Sequence, residues 1–449
     1  MAGTPISFDT WPWLYWGEVK PQHTALFLEG EAISWQRLVS DISNIPILPK
    51  PKSRYVAILS QNDYQTLLVI LAAWQQGLKT LLINPAFSPA LQKEVLEKAG
   101  IEMVIDPRVV FPSSEWPQSN VMPFDTQDIL TLVLTSGSTG TPKAVTHNAN
   151  AHLASASGLF SLLPFSESDC WLLSLPLFHV SGLAIIWRWL QRGAALKIAD
   201  TKGDALRSAL EGVTHASLVP MQLQRLLQGE RPASLTSVLL GGAVIPQALV
   251  DEAEAKGIGC WCGYGMTEMA STITAKRADG CFSVGRPLPH RELMFSSLGE
   301  IMVKGDTLSS GYLIGGMLEP LSDGWFATKD KGEWVEGELR ILGRLDNMFI
   351  CGGENVQPES IERVLSGFEG IEQLFILPVA DDKWGQVPVA LVMGNVNQGN
   401  FLAYAKSLLP PHQVPKAAYS IPKHLLDGGI KISRRALADW LANEKLAQR

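Results

Sequence analysis

Between Tyr55 and Trp261 short apolar runs alternate with longer stretches of helical period. YVAILS, TLLVILAAWQQG and KTLLIN set the rhythm. DILTLVLT then leads into HNANAHLASASGLFSLL, HASLVP into MQLQRLLQ, and SVLL into IPQALVDEAEAKG. Runs this short, each followed by a helix-length pattern, predict strand–helix units around mainly parallel sheets. After Gly280 the texture changes to short strands broken by Gly, Asp and Pro turns, as in GEIMVKG and GWFATKDKGEWVEGELRILGR. After Asp346 a compact pattern follows: ICGGENVQP, a helix from Pro358, the strands LFILPVA and VPVALVMG, and a helix-rich tail. Proline suits the first turn of that helix, where its missing N–H costs nothing. The expectation is a multidomain α/β protein, with a large N-terminal α/β domain over 1–345 and a small C-terminal α+β domain over 346–449.

The most apolar window, Leu172 to Leu190, contains Pro176, His179, Ser181, Gly182 and Arg188. A membrane helix would have to bury those groups unpaired, so the window predicts protein core and no transmembrane segment. The length of 449 residues suggests about three domain-sized units, or two if one is large. A net charge of −7 argues against a nucleic-acid binder held by bulk charge. Cys170, Cys260, Cys262, Cys281 and Cys351 are an odd, sparse set, which speaks against a disulfide scaffold and for a reducing cytosol. Cys260 and Cys262 have no nearby partner cluster for zinc. The N-terminus lacks the basic head and unbroken apolar stretch of a signal peptide, so the expected location is cytoplasmic.

Four segments carry candidate chemistry. Ser136-Gly137-Ser138-Thr139-Gly140-Thr141-Pro142-Lys143 follows the strand-like TLVLT, which ends at Thr135. Glycines let backbone amides approach a ligand, hydroxyls add donors and Lys143 adds charge, a combination suited to polyphosphate. The spacing is not that of a Walker loop. Taken alone, such runs are usually surface turns. Cys262-Gly263-Tyr264-Gly265-Met266-Thr267-Glu268 also follows a strand-like run; Thr267 could donate to a phosphate and Glu268 could hold Mg²⁺, although Thr-Glu after a turn is more often a helix cap. In the third cluster, Asp330 can accept from two ribose hydroxyls while Arg344 donates to the same sugar; alone, the pair would read as turn residues of a surface hairpin. The fourth, GGIKISR around Lys431, gains interest only from the company of the others.

In order and spacing, TSGSTGTPKAVTH, GYGMTE, TKDKGE, GRLDN and GGIKISRRAL resemble the motifs of the adenylate-forming superfamily of acyl-CoA synthetases, peptide-synthetase adenylation domains and luciferases. PLFHVSG, ASLVP followed by QLQRLL, and CGGENVQPESIE look most like the o-succinylbenzoate–CoA ligase branch of menaquinone biosynthesis. The resemblance implies a two-step reaction using Mg²⁺, with ATP and coenzyme A as co-substrates. It places Ser136 through Lys143 on the β- and γ-phosphates. Gly241, Gly242, Ala243 and Tyr264 would border adenine, with Thr267 on the α-phosphate and Glu268 on the metal, and Thr135 and Gly265 are further ATP-binding positions. Asp330 and Arg344 would hold ribose, Lys431 would bridge the acyl carboxylate and α-phosphate, and Asp346 would be the hinge. His179 falls where the superfamily often has a gate to the acyl pocket; a lone His beside an apolar run is otherwise more often a core residue. Many relatives carry a lysine where this chain has Ile350-Cys351, leaving Gly352 and Gly353 for close approach of the coenzyme A arm.

An aromatic dicarboxylate substrate needs a partner for its second carboxylate, because burying that charge unpaired costs several kcal/mol. Arg225, Ser181, Ser271 and Thr272 are the candidates, with Arg225 equally readable as a surface arginine. Within the fold, other aryl or fatty acids and a carrier loaded in trans remain open. A phosphoryl-transfer enzyme and a non-catalytic nucleotide binder are the readings from other classes. The sequence is compatible with a homo-oligomer.

Overall fold

The structure, a computed structural model, describes residues 6–110, 121–135, 142–242, 245–279, 281–321, 324–422, 425 and 434–447. Of the expected site residues, Ser136, Gly137, Ser138, Thr139, Gly140, Thr141, Ala243 and Lys431 lie outside them.

Among the described residues the strands form four sheets. The largest has nine strands, and at its centre Cys170–Leu172, His215–Leu218, Ser237–Leu240 and Gly259–Met266 lie side by side and parallel. The helices Val180–Arg192, Pro220–Leu227 and Gln247–Ala255 follow three of these strands, as the rhythm of the sequence predicts. The edges differ. Ser271–Arg277 returns antiparallel to Gly259–Met266, and Glu31–Ser34 pairs antiparallel with Thr24–Leu28.

A second sheet of seven strands has a parallel half, Tyr55–Leu59, Lys79–Ile83 and Ile129–Leu134. It continues antiparallel through Ala144–Asn148, Gly311–Ile314 and Met317–Pro320. The switch falls at Thr135 to Lys143, a link too short for the crossover of a dozen or more residues that a parallel pair needs. The two strands are therefore antiparallel neighbours, and the residues that join them carry the Ser/Gly/Thr motif. Asn148 ends the returning strand by capping the next helix, Ala149–Phe160, its side chain accepting from Ala151 N at 2.8 Å.

The apolar window is core. The helix Val180–Arg192 is buried from Gly182 through Gln191. Trp187 stacks on Trp74 and Trp189 on Trp35, with ring centroids 5.5 and 5.1 Å apart. Such pairs add to the burial of some of the largest side chains in the protein. Among the described residues no helix is long and apolar enough to cross a membrane.

A four-stranded antiparallel sheet, ending in Phe326–Val335 and Glu338–Arg344, leads to Asp346. Beyond it, Phe349, Val356, Ile361, Leu365, Ile376, Ala390 and Phe401 form a separate hydrophobic core. Gly352 and Gly353, with φ of 60° and 89°, make the two-residue turn between Phe349–Cys351 and Glu354–Val356. A Cβ on Gly352 would lie 2.3 Å from the ring of Trp384. The hairpin itself thus demands both glycines.

Candidate active site

Parallel strands point their C-terminal ends the same way, so the central four deliver their following residues to one edge. His179 and Ser181, both half-buried, begin the helix after Cys170–Leu172. Gly241 and Gly242 follow Ser237–Leu240, and Thr267 and Glu268 follow Gly259–Met266. This edge is where open α/β sheets bind ligands. At Gly265 a Cβ would come within 2.0 Å of the Ser271 carbonyl, so only glycine lets the two strands close there. Gly265 faces Thr272 in the register; Thr272 is buried and Ser271 half-buried on that returning strand.

Asp330 and Arg344 face each other across an antiparallel pair, within strands and not in a surface turn. Arg344 Nη1 donates to Asp330 Oδ1 at 3.5 Å, while its Nε and Nη2 donate to the two Asp346 oxygens at 2.8 and 3.0 Å. The Tyr264 hydroxyl donates to Asp330 Oδ2 at 2.5 Å, which fixes the carboxylate plane. Burial pushes the Asp330 carboxyl above its ordinary value, against the pull of Tyr264 and Arg344. The Arg344 guanidinium is held above its own ordinary value, chiefly by its hydrogen bond to Asp346.

Glu268 sits beside this pair. Burial raises its carboxyl, and the Tyr312 hydroxyl donates to Oε1 at 3.1 Å. His147 Nε2 donates to the Thr267 carbonyl at 2.8 Å, pinning the turn that presents both residues. Burial drives the His147 imidazole down to about 4, so it stays neutral near pH 7, with Nε2 carrying the proton. The Lys143 ammonium lies 5.1 Å from the Tyr312 ring centre. Thr135 and Lys143 close the base of their loop, Thr135 N donating to Lys143 O at 3.0 Å and Lys143 N to Thr135 Oγ1 at 3.3 Å.

The described residues contain no group of three or more His, Cys, Asp and Glu arranged to hold a metal. A half-buried carboxylate whose only side-chain hydrogen bond among the described residues is from a tyrosine hydroxyl suits Mg²⁺ that takes its remaining ligands from phosphates and water. Glu268 fits that role.

The raised carboxyls have a measurable consequence. Protonation turns one carboxyl oxygen into a donor and removes the negative charge that would draw a cation, so each group is a full acceptor only when ionised. The kcat/KM for ATP is expected to fall with decreasing pH from a point above the ordinary carboxylate range of about 4. An acid limb at the ordinary value would show that neither carboxylate governs nucleotide use.

Arg225 fits the second of its two readings, a surface arginine. On the helix Pro220–Leu227 the buried residues are Leu223, Leu226 and Leu227, and the helical period turns Arg225 outward, where it is exposed. Sequence reasoning missed Arg188. This arginine is only 2% exposed, its Nη1 reaches Ser217 Oγ at 3.4 Å, and its Nε finds no hydrogen-bond partner among the described residues. Its guanidinium lies 5.0 Å from the Trp171 ring centre. Side chains on a helix lean towards its N-terminus, here the end that carries His179, and Ser217 is one residue from the end of its strand. Burial lowers the guanidinium to about 9, with Arg291 adding repulsion. No carboxylate pairs with it among the described residues. The signal available in the sequence was an arginine inside the most apolar window of the chain.

Residues 15–313 match the AMP-binding enzyme family. The chain is 42% identical to the 2-succinylbenzoate–CoA ligase of Salmonella typhimurium, over 97% of this chain and 99% of that protein. It resembles the structure of an Escherichia coli MenE variant with bound OSB-AMS at a TM-score of 0.88 and 39% identity, covering 97% and 99% of the two chains. It also resembles the o-succinylbenzoate CoA synthetase of Bacillus subtilis at 26% identity. In complex with the acyl-adenylate OSB-AMP that protein gives a TM-score of 0.83, covering 96% and 98%; in complex with ATP and magnesium ion it gives 0.81, covering 92% and 95%. With a family match across well over half its length and relatives similar along nearly all of it, the chain belongs to the AMP-binding enzymes.

Proposed function

We propose that this chain ligates 2-succinylbenzoate to coenzyme A in two steps, a reaction of menaquinone biosynthesis. In the first step a substrate carboxylate oxygen attacks the α-phosphorus of ATP, and pyrophosphate leaves. In the second the thiol of coenzyme A attacks the acyl carbon and AMP departs with the bonding pair. Tyr264, Asp330 and Arg344 hold the nucleoside, with Gly241 and Gly242 beside the base. Thr267 donates to the α-phosphate, and Lys143 with the loop from Ser136 to Thr141 meets the outer phosphates. Mg²⁺ held by Glu268 supplies positive charge where the phosphate oxygens become more negative. Lys431 bridges the two reacting groups, and His179 gates the acyl pocket. Ser181, Ser271 and Thr272 are the polar groups proposed to line that pocket.

The observation that carries the substrate class is Arg188, a buried guanidinium without a carboxylate partner among the described residues. It fits an acid whose second carboxylate stays bound while the first reacts. Relatives named 2-succinylbenzoate–CoA ligase support the same assignment. For the second step the small domain turns about Asp346, and the Gly352-Gly353 hairpin faces the coenzyme A arm. Five free cysteines, four of them buried, suit a reducing cytoplasm.

Coenzyme A-dependent AMP release, measured with 2-succinylbenzoate beside benzoate and medium-chain fatty acids, tests the reading. Preference for 2-succinylbenzoate is the expected result; better activation of a monocarboxylate would overturn the substrate, and release of ADP would overturn the chemistry.

A further inference from the structure

Tyr312 lies on Gly311–Ile314, the strand that adds to Ala144–Asn148 beyond the phosphate-binding turn. The register pairs Tyr312 with Val145. Alternate residues of a strand share a face, so Lys143, Val145 and His147 line the face on which Tyr312 projects. That face meets the Thr267–Glu268 turn of the other large sheet. His147 holds the Thr267 carbonyl, Tyr312 donates to Glu268 Oε1 at 3.1 Å, and Ser309 N donates to the Glu268 carbonyl at 2.8 Å. Lys143 rests over the Tyr312 ring, 5.1 Å from its centre. One side chain therefore touches both the carboxylate and the ammonium assigned above to the metal and the outer phosphates. Burial and the neighbouring Glu268 raise the Tyr312 phenol above its ordinary value, so it remains a donor near pH 7.

We propose that Tyr312 is a positioning residue that fixes Glu268 and Lys143 relative to one another, its hydroxyl orienting the carboxylate for Mg²⁺ and its ring supporting the ammonium that meets ATP. The proposal rests on the nucleotide site described above. A hydroxyl donating to one carboxylate oxygen leaves the remaining lone pairs for a cation and removes a rotation that the free side chain would have. A hydrogen bond to a charged group corresponds to about tenfold in an equilibrium constant, and a partly exposed cation–π contact to about fivefold.

Tyr312→Phe keeps the ring and removes the hydroxyl; Tyr312→Leu removes both. Each is compared with the parent enzyme by acid-dependent ATP–pyrophosphate exchange, with Mg²⁺ and ATP varied independently. Calorimetric binding of ATP with and without Mg²⁺ is measured on the same proteins. Tyr312→Phe should raise the Mg²⁺ concentration for half-maximal exchange about tenfold, well beyond its effect on kcat or on the KM of the acid, and should leave metal-free ATP binding unchanged. Tyr312→Leu should in addition weaken metal-free ATP binding about fivefold. Loss of kcat together with a rise in every KM would make Tyr312 a packing residue and overturn the proposal. So would a phenylalanine variant indistinguishable from the parent. Glu268→Gln separates the two levels. If it leaves the Mg²⁺ curve unchanged, the metal role of Glu268 fails and the proposal falls with it; if it shifts the curve and Tyr312→Phe does not, only the role of Tyr312 falls. Should Tyr312→Leu melt early, the phenylalanine variant, one oxygen smaller, still decides the role of the hydroxyl.

Discussion

Replacing Lys431 by alanine is expected to slow adenylation by about 10²–10³-fold, the usual cost of losing one preorganised charge-stabilising donor. Thioester formation from supplied acyl-adenylate should be spared. In the first step negative charge from the attacking carboxylate and the α-phosphate converges on one region, and a fixed cation is most effective there. In the second step that phosphate leaves as AMP, and the proposed domain rotation carries Lys431 away. The structure provides a firm base three residues further on. Arg434 donates from Nη2 to both oxygens of Glu362 at 2.6 Å and from Nη1 to the Ile376 carbonyl at 3.0 Å. Glu362 is itself largely shielded from solvent and in turn accepts from Ile376 N at 2.6 Å. Arg434 is thus anchored to the core of the small domain. Single-turnover measurement of both half-reactions checks the prediction, and equal loss in both would assign Lys431 a structural role.

Arg188→Met is expected to raise the KM for 2-succinylbenzoate by about 10²-fold, with little effect on the KM for ATP. Methionine keeps much of the volume and the contact with Trp171 while removing the charge. A buried cation with no counter-ion is a liability to the unliganded fold, so the variant should melt no lower than the parent, and its thermal gain on adding the acid should shrink. Arg188→Lys should lie between, since an ammonium keeps the charge and loses the planar fork. A fall in melting temperature with unchanged acid kinetics would instead make Arg188 a packing residue beside Trp171.

Much of this site is legible in the sequence because its parts are local. A glycine-rich turn, a Thr-Glu pair after a strand and a Gly-Arg-x-Asp run each bring their chemistry within a few residues. What escaped depends on contacts far apart along the chain. Tyr312 stands in GYLI, a run like any short strand, and acquires meaning from Glu268 and Lys143, each remote in sequence. His147 closes the quoted motif yet acts on Thr267, which only the meeting of two sheets brings near. For Arg225, the spacing of Leu223, Leu226 and Leu227 favours the outer face, and the structure leaves it exposed there. Arg188 argues in the sequence against a membrane helix; that no carboxylate pairs with it among the described residues is visible only in the fold. The parallel sheet centres follow from strand–helix alternation, whereas the antiparallel edges follow from link length, which hydrophobic period does not encode.

Arg344 serves two masters. The guanidinium beside Asp330, the proposed ribose partner, is the one clasped by Asp346, and Gln357 Nε2 donates to the Arg344 carbonyl at 2.9 Å while Asn347 Nδ2 donates to Glu359 at 2.5 Å. Any reorientation of the small domain that loosens this knot changes how Arg344 is presented to the sugar. Binding free energies are reciprocal, so the factor by which reorientation alters nucleotide affinity is the factor by which nucleotide biases reorientation. The dissociation constant of an inert AMP analogue is therefore a gauge of domain angle, readable in solution without any label on the small domain.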